Sequence, residues 1–115
     1  MGRYAPAPYT TAQTDAVIVS VPSGMGFRVT HYAFVVDKSC TIPYVAGLFE
    51  FDDTADVRFG GHDGVSPGSG WGEGNPGDSS GLAEGGDGQD VTFTCDVPTG
   101  GSVSVFVNGD FFPTV

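Results

Sequence analysis

The chain has 115 residues and a mass of 11.8 kDa, enough for one domain and too few for two. Fourteen acids against four bases leave a net charge of −10, which excludes a grip on a nucleic acid backbone, because that affinity comes from Lys and Arg displacing counterions. Fifteen Val, ten Thr and nine Phe stand against two Leu, three Glu and one Lys, a composition that suits pleated strands and starves helices. It predicts an all-β chain, a single-domain antiparallel β-sandwich of jelly-roll-like form with a long Gly-rich loop. The N-terminus has no apolar run long enough for a signal peptide, and Pro6 stands where a myristoylation motif wants Ser or Thr. No stretch is apolar enough to span a membrane as a helix, so the expectation is a protein made in a cytoplasm, with no membrane partner.

Residues 1–14 carry two Pro, two Tyr and three Thr without alternation, and read as an extended arm ahead of a domain at 15–115. Either the arm is a disordered terminus, or Tyr4, Pro6, Pro8 and Tyr9 lie on a neighbouring subunit with the tyrosines as anchors. The first strand is predicted at 15–21, with Val17, Val19 and Val21 on one face, and Pro22-Ser23-Gly24 turns the chain. The next, at 27–37, begins one-sided with Phe27, Val29 and His31 and ends apolar on both faces, as if passing from an exposed edge into a covered region. After a turn at Asp37-Lys38-Ser39, a third strand is predicted at 44–51, with Gly47 as a bulge or a point of close approach.

Residues 60–88 hold twelve glycines, with Val65, Trp71 and Leu82 as their large apolar groups. They read as one long surface loop system with at most a short strand near Leu82. Residues 91–97 then alternate cleanly: Val91, Phe93, Cys95 and Val97 point inward, while Thr92, Thr94 and Asp96 point out. Thr99-Gly100-Gly101 is read as the turn of a hairpin whose second strand, 102–107, carries Val103, Val105 and Val107 on one face. Asn108-Gly109 is a type I′ turn signal, and Phe111-Phe112-Pro113 closes the chain as a short strand or docked tail.

Motifs that carry chemistry are scarce. Gly85-Gly86-Asp87-Gly88-Gln89-Asp90 matches the start of a calcium-binding nonapeptide, but that repeat shares each ion between stacked copies and only one copy is present. Asp52, Asp53 and Asp56 read as a solvated turn rather than part of a calcium site. Cys40 and Cys95 with two distant histidines lack zinc spacing, and Cys95 resembles a buried small apolar residue. No nucleophile elbow, His-Glu-x-x-His or phosphate loop is present, so no enzyme activity and no cofactor are expected. Trp71, flanked by glycines, has two readings: it folds back to pin its loop, or its indole face stacks on a sugar ring.

The apolar strand ending near Val36-Asp37, the strand at 45–51, the Gly-rich segment, and above all Gly88-Gln89-Asp90-Val91-Thr92-Phe93-Thr94-Cys95-Asp96-Val97-Pro98-Thr99-Gly100-Gly101 resemble small virion-associated proteins of tailed bacteriophages. The resemblance covers residues 27–107, and its specific part is the strand–Cys–Val-Pro-Thr-Gly-Gly–strand hairpin. It implies a structural protein of the virion, a capsid decoration (cement) protein on the outer capsid surface. Its partners would be the major capsid protein and further copies of itself, with a trimer as the expected oligomer. It carries over no catalytic residue. The alternative function is a host-adsorption or glycan-binding module of a head or tail fibre, with Trp71 in its reading surface.

Overall fold

The computed structural model describes residues 2–52, 57–74 and 82–115, among which there are nine strands and no helix. The chain opens with β1 (Gly2–Tyr4), β2 (Gln13–Val19) and β3 (Met25–Val36). The middle holds β4 (Val45–Asp52), β5 (Val57–Val65) and β6 (Gly70–Gly74). A two-residue β7 (Ala83–Glu84) precedes β8 (Asp90–Cys95) and β9 (Val103–Pro113). All pairing is antiparallel, in two sheets: β1-β9-β3-β6, with β7 also on β3, and β2-β8-β4-β5. The shortest axis is 21 Å, the depth of two packed sheets with their outer side chains.

The topology is a rolled-up ribbon. The pairs β1–β9, β2–β8, β3–β6 and β4–β5 nest one inside the next, and β3–β9 and β4–β8 then join them into sheets. Apart from the short β7, this is the strand order of an eight-stranded jelly roll, so the predicted fold class holds. Between the sheets lie Phe27, Phe34, Phe49 and Phe93, each with no solvent exposure, among fully buried valines. The Phe49 and Phe93 rings are 4.9 Å apart and Phe34 sits 5.6 Å from Phe93, which ties β3, β4 and β8 together.

The two-sided end of β3 has a different cause from the one expected. Opposite Gly109 and Asn108 the register slips between Val29 and His31, so Thr30 is an extra residue. Phe27 and Val29 point inward before it, whereas Tyr32, Phe34 and Val36 point inward after it. What reads as two apolar faces is one apolar face that changes parity. The Thr30 hydroxyl, almost fully buried, donates to the Asn108 carbonyl at 3.2 Å and satisfies the bulge.

Further expectations are corrected. The strands flanking Pro98-Thr99-Gly100-Gly101 do not form a hairpin, because β8 and β9 belong to different sheets. The turn is an arch, fastened to residues 37–41 by Thr41 N–H donating to the Thr99 carbonyl (2.8 Å) and Asp37 N–H to the Ser102 carbonyl (2.9 Å). Asn108-Gly109 is not a turn either: β9 runs straight through it, and Gly109 is needed because a Cβ there would press on the Arg28 carbonyl and the Phe27 ring. Valines 17 and 97 are about half exposed, since a slip between Val17 and Val19 takes the first off the inner face and β8 ends before the second. Thr92, expected outside, is fully buried between Val17 and Glu50 of the flanking strands, and its hydroxyl donates to the Glu50 carbonyl at 3.4 Å.

The last corrections concern the arm and the Gly-rich region. Residues 2–4 pair with β9, and Tyr9 exchanges two 2.9 Å backbone hydrogen bonds with Val103. Tyr4 meets Phe27 edge-on at 5.6 Å, and Tyr9 stacks on Phe93 at 6.3 Å, so both anchors are used within the chain. Residues 60–88 are not one loop: β5, β6 and β7 run through them, while 75–81 lie outside the described residues. Gly47 is both things foreseen for it, a register slip and a close approach, for a Cβ would sit 2.8 Å from the Phe34 ring.

Gly47→Ala is therefore expected to lower stability by about 1–3 kcal/mol through overpacking, read by urea unfolding, while exposed Ser104→Ala stays within about 0.5 kcal/mol. Deleting residues 2–9 uncovers Phe27 and bares the edge of β9, so the shortened chain is expected to melt lower and to associate more readily. An unchanged melting temperature would mean that the arm docks elsewhere.

Candidate functional site

Strand β6 reads Gly70-Trp71-Gly72-Glu73-Gly74, a period-2 alternation with glycine on one face. The glycines are a packing requirement. A Cβ on Gly72 would lie 2.6 Å from the Ala33 Cβ, and one on Gly74 would strike the His31 ring, so the strand can lie on β3 only with that face bare. The other face carries Trp71 opposite Phe34 and Glu73 opposite Tyr32, both looking across to the second sheet. There β5, the edge strand of that sheet, passes with Arg58, Phe59, Gly60 and Gly61. The two sheet edges enclose an open depression of about 340 Å³ lined by these residues together with Tyr32, Trp71 and Glu73.

Its floor is ordered by one side chain. The Tyr32 ring is buried and packs at 4.8 Å from Phe49, 5.2 Å from Phe59 and 5.6 Å from Trp71. Its hydroxyl reaches the depression, where it donates to Glu73 Oε2 at 2.9 Å and lies 3.4 Å from the Phe59 carbonyl. Gly60 makes that reach feasible, because a Cβ there would collide with the phenol. Burial, followed by the hydrogen bond to Glu73 and its negative charge, pushes the Tyr32 phenol far above its ordinary 10.0, so the group stays a donor at all physiological pH. Trp71 is half-buried, held by Tyr32 on one side with the exposed His62 ring 6.3 Å away. Arg58 stands at the rim, half exposed, 3.9 Å from Asp63.

Of the residues singled out in the sequence, only Trp71 belongs to this site. The indole is pinned, as one reading held, yet it also lines an open depression. Tyr4 and Tyr9 pack on the aromatic core instead, Pro6 is half-buried and Pro8 exposed. Tyr32, Arg58, Phe59 and Glu73 had no signal of their own. The available clue was the alternation from Gly70 to Gly74, which glycine content disguises as loop.

The remaining candidates serve the fold. Asp87 Oδ1 accepts from Gly24 N–H at 2.5 Å and from the Thr114 hydroxyl at 2.9 Å, and Asp90 accepts from Val21 N–H at 2.8 Å. With Gly86 N–H donating to Gln89 Oε1 at 2.6 Å, the Gly85-to-Asp90 segment is a turn that fastens neighbouring loops and feeds β8. Asp53 and Asp56 lie outside the described residues. Among the described residues no three His, Cys, Asp or Glu side chains gather as metal ligands, and no helix is long and apolar enough to cross a membrane. Cys40 and Cys95 are both buried free thiols. A second, smaller hollow of about 100 Å³ lies outside the four-stranded sheet, by Ala46, Leu48, His62, Thr94 and Cys95. Comparison with protein-family models, with curated proteins and with solved structures finds no match.

Burial pushes the Cys95 thiol up from its ordinary 9.0; nearby Asp96 adds to this, and the Gln13 backbone opposes it. The unfolded chain thus loses this proton first, and the stability it supports is full below pH 9.0 and falls as pH rises beyond it. Urea midpoints are expected to fall as pH rises past 9.0. Cys95→Ala should cost about 1 kcal/mol at neutral pH and remove the part of the fall that begins near 9.0, leaving the tyrosine-dependent part above it.

Proposed function

We propose that the chain is a structural protein of a tailed-phage particle, a decoration protein seated on the outer capsid surface. The observation that carries this reading is the outer face of the β2-β8-β4-β5 sheet. Val17 faces Thr92 and Leu48 faces Thr94, with Ala46 alongside, so a strip of apolar groups lies between the carboxylates of Glu50 and Asp96 on a molecule of net charge −10. Val17 is 51% exposed, apolar area that seating on another protein would remove from water. Two further features support it: the resemblance of residues 88–101, which here form β8 and the arch to β9, and the jelly-roll winding, an architecture shared by viral capsid domains. The fold alone selects no function, since lectin domains use it too.

On this reading the protein acts mechanically. Each copy adds buried area across neighbouring capsid subunits, copies associate as trimers at lattice three-folds, and the acidic remainder of the surface faces away from packaged nucleic acid. The test is Val17→Glu, which places a charge on the strip at an already exposed position and is expected to leave melting of the isolated protein unchanged. Particles carrying the wild-type chain are expected to show many copies in lattice register by electron cryomicroscopy, with occupancy by Val17→Glu reduced about tenfold, about 1.4 kcal/mol of binding. A handful of wild-type copies, a tail location, or full occupancy by the variant would overturn the reading.

A further inference from the structure

The depression between β5 and β6 brings aromatic rings and polar side chains together at an open edge of the sandwich. Trp71 offers an aromatic surface at an open rim, with the rings of Tyr32 and Phe59 beneath it. Glu73 is exposed, and its Oε2 is oriented by the Tyr32 hydroxyl, which leaves the rest of its carboxylate as a fixed acceptor. Arg58 supplies donors from the facing strand, with the almost fully exposed Asp63 3.9 Å away. Gly60 and Gly61 line the depression from β5 and project no side chain into it.

From this arrangement we infer that the depression is a binding site for a neutral saccharide, taking one pyranose ring edge-on between the two sheet edges. Such a ring has an apolar C–H face for the indole and hydroxyls on its rim, which donate to the Glu73 carboxylate and accept from Arg58. The volume is at the small end of ligand pockets, about 300–1,000 Å³, which suits a single ring and not a whole oligosaccharide. The net charge of −10 disfavours anionic sugars, nucleotides and phosphates at the same place. The smaller hollow outside the other sheet has no aromatic platform other than His62 at its rim. This inference does not depend on where the protein sits on a particle, and it concerns the opposite edge of the molecule from Val17, since β2 and β5 are the two edges of their sheet.

Trp71 is the single tryptophan, so its emission reports on the site directly. The isolated full chain is titrated with the methyl glycosides of glucose, galactose, mannose and N-acetylglucosamine, and with sialic acid and glycerol as anionic and acyclic controls. At least one neutral glycoside is expected to give a saturable change in emission at millimolar concentration, and the controls none. Glu73→Gln keeps an acceptor for Tyr32 and is expected to weaken that binding about tenfold with its melting temperature unchanged. Trp71→Phe, followed by isothermal calorimetry, is expected to weaken it further. A parallel arm passes the protein over immobilised dextran, mannan and galactan: retention released by the free glycoside identifies an internal unit of a polymer, and flow-through identifies a chain end or free sugar. A flat titration with every neutral glycoside, or Glu73→Gln binding as well as wild type, would overturn the inference while leaving capsid occupancy as a separate question.

Discussion

The single extra residue at Thr30 sets which side chains of the longest internal strand look into the sandwich, and the rest of the structure is arranged around that choice. Before it, Phe27 and Val29 face the core; after it, Tyr32, Phe34 and Val36 do. Without the slip, one half of β3 would turn its apolar face to solvent, because side-chain direction in a strand changes with every residue. The bulge lies where β9 carries Gly109, whose missing Cβ leaves room for the Phe27 ring and the Arg28 carbonyl. Two sequence features that look unrelated, an out-of-step strand and an Asn-Gly pair, are therefore the two sides of one adjustment.

Glycine has a consistent role here that is the reverse of its usual association with slack. At Gly47, Gly60, Gly72 and Gly85 the hydrogen in place of a side chain lets a ring or a neighbouring strand lie directly on the backbone. Three aromatics of the core are each matched by a bare patch: Phe34 on Gly47, Tyr32 on Gly60, Phe51 on Gly85. The same device builds the candidate site, since Tyr32 reaches Glu73 only by passing over Gly60. Conformational freedom matters at fewer positions, such as the arch at Gly100, where φ is +86°.

What could be read from the sequence follows from this. Strands whose inward positions are Val and Phe were legible, β8 because large apolar groups alternate with Thr and Asp, and β4 as an apolar run of strand length. Strands interrupted by glycine, β5 at Gly60, Gly61 and Gly64 and β6 at Gly70, Gly72 and Gly74, were not, because glycine adds no bulk to an alternation. The β8–β9 pairing was misread for a topological reason: a tight turn signal says that the chain reverses, and a jelly roll spends that reversal on moving to the other sheet. The arm was misread because prolines without alternation carry no information about an anchor point, whereas Tyr4 and Tyr9 are held by rings more than twenty residues away in sequence. Of the candidate site, Trp71 alone stood out; its companions come from β3 and β5 and meet it only once the two edges are brought together.

The nested pairing also orders events in time. The β4–β5 ladder joins neighbouring segments, while β1 and β9 lie at the two extremes of the chain, so the entropy of closing each ladder grows from the innermost pair outward. Assembly that follows this gradient starts near residues 45–65 and finishes with β1 on β9, as a non-local β-topology that folds slowly for its size. Contacts made last are absent from the transition state, so disturbing them accelerates unfolding and hardly touches the folding rate. Tyr4, three residues into the described chain, is thus placed to govern how long the native state survives rather than how quickly it forms.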